Sequence, residues 1–130
     1  MPLHWQSAIQ LVTVLSSAGA TSDTIVSCDA HLFLFSQVEV GFDTTAVPYK
    51  NEVDADAARK TFAIFTSNAS RIKKTYNNTG SANSWWLRSP LASSSTAFCY
   101  VNYAGSASSF NASYSYGVSW GFCIGSKIAA

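Results

Sequence analysis

Apolar residues fall along this chain in short runs, and the punctuation between the runs changes near residue 77. Ser7 to Val14 is an apolar start in which Ile9, Leu11, Val12 and Val14, with Leu15 beyond, predict a short helix end followed by a strand. Ser16 to Thr24 reads as a loop around Gly19. His31-Leu32-Phe33-Leu34-Phe35 is a continuous apolar run of strand length, and Ser36-Gln37-Val38-Glu39 follows it at capping-box spacing. A strand is therefore expected to end where a helix of one or two turns begins. Gly41 supplies its stop, and Asp43 to Asn51, with Pro48, forms a connection. Asp54 is placed to cap a long helix through Phe65, because Ala57, Ala58, Phe62 and Phe65 recur near helical spacing while Arg59 and Lys60 face outward.

Asn77-Asn78-Thr79-Gly80-Ser81 marks a turn, and beyond it aromatic and β-branched runs are separated by Ser, Asn and Gly. The runs are Trp85 to Arg88, Phe98 to Asn102, Ala107 to Phe110 and Gly117 to Ile124, with a hairpin turn expected at Asn102-Tyr103-Ala104-Gly105. The pattern predicts an α+β domain: a small antiparallel sheet with two or three short helices of the first half packed on it.

At 130 residues this is one domain, spanning 1–130, and the 48% hydrophobic and 12% charged composition opposes disorder. Net charge is +1, which disfavours a generally basic nucleic-acid binder. The charges are nevertheless segregated. All seven acids precede residue 57, so one base against seven acids leaves −6 on the first 56 residues, and seven bases leave +7 on the rest. The preferred reading is that the two parts meet and neutralise each other, with a basic binding patch as the alternative. No positive leader region stands at the start and no apolar run approaches ~20 residues, so neither a membrane span nor a secretion signal is expected.

The acids missing from the second half restrict the chemistry. A glycosidase pair would have to come from the first 56 residues, and a calcium site in the sheet half would lack carboxylates. His4 and His31 are isolated, which gives no zinc spacing, and no nucleophile elbow, phosphate loop or dinucleotide fingerprint occurs. Arg71, Lys73 and Lys74 do not interleave with the later aromatics and read as a solvated face. No enzyme, metal or cofactor is expected. Three Asn-x-Ser/Thr matches, at Asn68, Asn77 and Asn111, read as chance in an Asn- and Ser-rich chain. Cys99 and Cys123 lie in apolar segments and read as buried thiols, with a bridge between two of the three cysteines as the alternative.

From Ser93 to Ser119, Ser, Asn, Ala and Gly are mixed with Tyr100, Tyr103, Phe110, Tyr114 and Tyr116. That is the vocabulary of binding loops, where flat rings supply contact area at low entropy cost. The same alternation also suits the buried face of a sheet. In Trp85-Trp86-Leu87-Arg88-Ser89-Pro90, Arg88 stands among aromatics; if buried, its five donors require carbonyl or carboxylate partners, which makes it first a structural clamp and second a ligand contact.

Leu32-Phe33-Leu34-Phe35-Ser36-x-x-Glu39-Val40-Gly41, Ser70-Arg71-Ile72-Lys73, Trp85-Trp86-Leu87-Arg88-Ser89-Pro90, Phe98-x-Tyr100-Val101-Asn102-x-x-Gly105, Asn111-Ala112-Ser113 and Tyr116-Gly117-Val118 together resemble a domain family of uncharacterised function found in gut-associated bacteria and their phages. That family looks like a relative of the C-type lectin-like fold, in its formylglycine-generating-enzyme-like branch. The resemblance implies a binding scaffold displayed on a virion or cell surface. It also implies more sequence before the segment that matches from Ser7. Neither the calcium carboxylates of the lectins nor the cysteine pair of the enzymes is recognisable, so neither mechanism is carried over.

The resulting expectation is a non-catalytic C-type lectin-like domain of a phage particle or bacterial surface. Tyr103, Tyr114, Tyr116 and Trp120 are expected to bind glycan or protein without metal, and Trp86, Arg88, Cys99 and Cys123 to be structural. The alternative is a virion building block packed against other capsid or tail proteins. Expected partners are other virion or surface proteins and a glycan receptor, in an oligomer, with neither nucleic acid nor membrane.

Overall fold

The computed structural model describes residues 6–19, 24–42, 61–75, 79–91 and 94–125. Among the described residues nine strands and a four-residue helix appear in the order β1 Val12–Ser17, β2 Ile25–Ala30, β3 Phe33–Leu34, α1 Asn68–Arg71, β4 Lys73–Lys74, β5 Ala82–Asn83, β6 Trp85–Pro90, β7 Ala97–Val101, β8 Ala107–Asn111 and β9 Trp120–Gly121. They form three antiparallel two-stranded sheets, β1–β2, β3–β9 and β4–β5, and one three-stranded sheet, β6–β7–β8. Among the described residues no helix is long and apolar enough to cross a membrane.

The expected α+β, C-type lectin-like arrangement is therefore corrected to a mainly-β fold with almost no helix among the described residues. The physical reason is visible at the two helix starts. The capping box forms, with Ser36 N donating to Glu39 Oε2 (3.0 Å) and Glu39 N to Ser36 Oγ (3.3 Å). A single turn follows, and Gly41 ends it at φ +77°, a left-handed conformation that glycine adopts without steric cost. Val38, Glu39 and Val40 are all buried there, so tertiary contacts rather than helix propagation hold the segment. Phe62 and Phe65 lie in a turn, with Phe65 N donating to Phe62 O (3.0 Å), and the earlier part of the expected helix, Asp54 to Lys60, lies outside the described residues.

Other boundaries moved as well. Only Phe33 and Leu34 of the 31–35 run pair as a strand, with Gly121 and Trp120. Strand β2, which the apolar pattern did not announce, pairs in full register with β1 from Val12↔Ala30 to Ser17↔Ile25. The hairpin expected at residues 102–105 is present: Gly105 N donates to Asn102 O (2.9 Å), Asn102 N to Ser106 O (2.9 Å), and β7 and β8 pair from Ala97↔Asn111 to Val101↔Ala107.

The core is built around aromatic rings. Phe35 stands edge-on to Phe62, Phe65 and Trp85 at centroid distances of 5.4, 5.2 and 6.3 Å, an orientation that the ring quadrupole favours. Val14, Leu87, Cys99 and Val101 close the cluster from β1, β6 and β7. Because β7 alternates, Ala97, Cys99 and Val101 point into this core and Phe98 and Tyr100 point away from it.

Candidate functional site

The outer face of β6–β7–β8 carries a connected series of aromatic rings. Register places Trp86 opposite Tyr100 and Phe98 opposite Phe110. The segment after β8 then folds back over this face. It is tied at one end by Ala112 N donating to Thr96 O (2.9 Å) and at the other by Gly117 N donating to Ser84 O (2.8 Å) and Trp86 N to Gly117 O (3.0 Å). This lays Tyr114 against Phe110 (4.3 Å between centroids) and Tyr116 against both Trp86 (4.9 Å) and Tyr100 (4.6 Å). Tyr114 and Tyr116 are 6.3 Å apart, so the rings run without a break from Phe110 to Trp86.

Beside the rings lies a groove of about 330 Å³ lined by Leu34, Trp86, Phe98, Ala112 and Val118 among others, within the size range of small-ligand sites. Trp120, opposite Leu34 in the β3–β9 pair, is 58% exposed, and Tyr114 is 54% exposed. Large apolar side chains held outside a close-packed core in one contiguous area are characteristic of interaction surfaces.

Of the four residues expected to bind ligand, the structure thus brings Tyr114 and Tyr116 together. Trp120 stands across from the groove residue Leu34, outside the ring series. Tyr103 sits on the β7–β8 turn, 67% exposed, and joins none of the ring contacts. Trp86, expected to be structural, is half-buried and lines the groove, so it belongs to the surface as well as to the sheet. Tyr100, Phe98 and Phe110 were not singled out for the site. The signal was available in Ala97-Phe98-Cys99-Tyr100-Val101, whose small residues alternate with large rings and leave only the small ones to face a crowded interior.

Hydrogen bonding within the series affects its chemistry. The Tyr116 phenol is raised above the ordinary tyrosine range by its hydrogen bond with Tyr100, which holds the proton, then by burial and by the neighbouring phenols of Tyr100 and Tyr114. A folded value above the unfolded one means that the native state keeps its proton longer. The stability this contributes is complete below the unfolded phenol value of about 10 and is lost as pH rises through the folded value. In an absorbance titration of phenolate formation, Tyr116→Phe is expected to remove a component that ionises above the ordinary tyrosine range. An unchanged curve would show that another tyrosine supplies it.

Arg88, which also lines the groove, is fixed from three sides. Its Nη1 donates to Glu39 Oε2 (2.6 Å) and Leu34 O (2.7 Å), its Nη2 to Glu39 Oε1 (2.7 Å), and its Nε to Leu15 O (3.0 Å). This fork joins an acid of the first half to a base of the second and binds β1, β3 and β6 into one unit. Arg71, read from the sequence as part of a solvated face, is instead buried. It donates to Gly105 O (2.9 Å), Val40 O (3.0 Å) and Asn68 Oδ1 (2.6 Å) and stacks on Phe42, and burial lowers its pKa. Cys99 is buried, Cys123 half-buried and Cys28 exposed, and none of the three is in a disulfide.

Among the described residues no three His, Cys, Asp or Glu side chains cluster as metal ligands. Asp29 accepts from Thr13 Oγ1 on the β1–β2 hairpin (2.6 Å), and His31 Nδ1 lies 3.3 Å from Ile9 O. The arrangement at the ring face can therefore stack and hydrogen-bond a ligand through rings, phenols and the nearby Ser and Asn groups.

Residues 4–126 match the family model of a domain of unknown function, DUF6273, and the chain belongs to that family. No curated protein matches the chain, and no solved structure matches it.

Proposed function

We propose that this DUF6273 domain is a non-catalytic recognition module whose ring face binds glycan by stacking, without a metal ion. The observation that supports this reading is the unbroken series Phe110, Tyr114, Tyr116 and Trp86 beside the groove, kept outside while the small residues of β7 fill the interior. Pyranose rings present flat C–H faces that lie on aromatic planes, and their hydroxyls pair with phenols, amides and serines. Display on a phage particle or bacterial surface, where such a module would meet cell-wall or capsular sugars, is part of the same proposal and follows from the resemblance described above.

The test is a glycan array run in chelator, followed by calorimetry on the sugars retained. Tyr114→Ala and Phe110→Ala, the two exposed members of the series, are each expected to weaken binding about tenfold or more, since exposed rings within a contact carry most of its energy. Retained affinity in both variants would overturn the assignment of the face.

A second reading, a structural virion subunit, draws on the apolar side chains exposed away from the rings, including Leu11, Ile25, Val26 and Ile124. Concentration-dependent assembly in light scattering, with no sugar retained on the array, would favour it.

A further inference from the structure

On the far side of Val118 from the groove lies a second hollow of about 190 Å³, lined by Lys73, Lys74, Asn83, Val118 and Ser119 among others. Val118 lines both spaces, so one extended ligand can cross it from the rings to the lysines. Resting on the glycan reading above, we infer that the ligand is an anionic polysaccharide, with sugar rings on the aromatic face and a carboxylate or phosphate in the lysine hollow.

Charge and geometry carry the inference. No acid follows Asp56 in the sequence, and the two arginines of the described second half are committed internally, Arg88 to Glu39 and Arg71 to three neutral oxygens. That leaves Lys73 and Lys74 as the cations available to a ligand there, with no carboxylate against either among the described residues. Lys73 is held against rings, while Lys74 is fixed by its backbone and is exposed. They form β4, pairing Lys73↔Asn83 and Lys74↔Ala82, and Lys73 Nζ stands 5.8 and 5.9 Å from the Phe65 and Trp85 rings. Asn83 spends its carbonyl oxygen on Ser84 N (2.8 Å), which leaves amide donors, and Ser119 adds a hydroxyl. A hollow of ammonium, amide and hydroxyl donors is complementary to an oxyanion and adverse to a cation.

Polygalacturonate, the same polymer with its carboxylates reduced to alcohols, poly(glycerol phosphate) and polyglutamate are the probes, measured by calorimetry on the whole chain. Polygalacturonate is expected to bind about tenfold more tightly than its reduced form at low salt, with the difference shrinking in 0.5 M NaCl. Lys74→Gln, at an exposed position that leaves the core alone, is expected to bind the two polymers nearly alike. Stronger binding of poly(glycerol phosphate) than of polygalacturonate would identify phosphate as the anion and support the inference. Equal binding of polygalacturonate and its reduced form by the unaltered chain would overturn it while leaving glycan recognition standing. Polyglutamate binding as tight as either polysaccharide would overturn it in favour of an acidic protein partner. No binding of any polymer, with folding verified by circular dichroism, would overturn it, while the glycan array decides the recognition reading separately.

Discussion

Glu39→Gln is expected to destabilise the domain by about 3–5 kcal/mol, the cost of leaving a buried cation without its counter-ion. The side chains of Arg88 and Glu39 are only 11% and 3% exposed, so water does not replace the lost charge. The amide keeps the volume of the acid, so the change tests charge and hydrogen-bond polarity rather than packing. Glu39 Oε2 also accepts from Ser36 N, which ties the clamp to the turn that the capping box builds. Arg88→Met is expected to cost at least as much, because it strips Leu15 O and Leu34 O of their donor as well. The double variant Glu39→Leu/Arg88→Met is expected to cost less than the two single changes added together, since a hydrophobic pair removes both buried charges at once. Urea unfolding midpoints read these differences. A Glu39→Gln variant within about 0.5 kcal/mol of the unaltered chain would show that the pair is solvent-screened.

Gly105→Ala is expected to cost several kcal/mol for two separable reasons. Gly105 has φ +80°, where an L side chain loses about 1–2 kcal/mol. A Cβ there would also overlap the Asn68 carbonyl oxygen and stand 2.7 Å from its carbon. To relieve the overlap, the β7–β8 turn must separate from α1, and with it goes the bond from Arg71 Nε to Gly105 O, a charged hydrogen bond worth about 1.5–3 kcal/mol. The loss extends further, because the Arg71 carbonyl accepts from the buried Trp85 indole (2.9 Å) and Asn68 Nδ2 donates to Ser106 Oγ (3.2 Å). Gly105→Asn separates the causes. Asparagine tolerates the left-handed conformation but still carries a Cβ, so it is expected to be nearly as damaging as alanine. A mild Asn variant in thermal unfolding would mean that conformation alone, and not close approach, demands glycine.

These two positions also show how much of the fold could be read from the chain. The Asn102 to Gly105 turn was legible because its residues are chemically committed: an Asn whose side chain accepts from Ala104 N and Ser106 N, and a Gly able to take positive φ. The capping box at Ser36 and Glu39 was legible for the same local reason, yet the helix it announces does not propagate. Glu39 is a clamp residue as well as a cap, and its partner Arg88 is 49 positions away. Local pattern has no access to that contact. Strand β2 was missed because it shows no clear alternation of buried and exposed positions; five of its six residues are exposed, and pairing with β1 alone defines it. Arg71 was misread because nothing around it in sequence shows that Val40 and Gly105 supply oxygens from 31 and 34 positions away.

By itself the sequence determined the inventory and the local turns: the rings between 85 and 120, the segregation of acids from bases, the capping box and the hairpin. Each of these depends on residue type and short spacing alone. Only the tertiary structure decided that the described residues are mainly β, that Tyr114 and Tyr116 join Trp86 and Tyr100 while Tyr103 stands apart, and that two arginines are locked inside and two lysines left out. The reason is that burial and charge pairing are properties of which surfaces meet. In a chain of short strands those meetings span tens of residues, beyond the reach of any local periodicity.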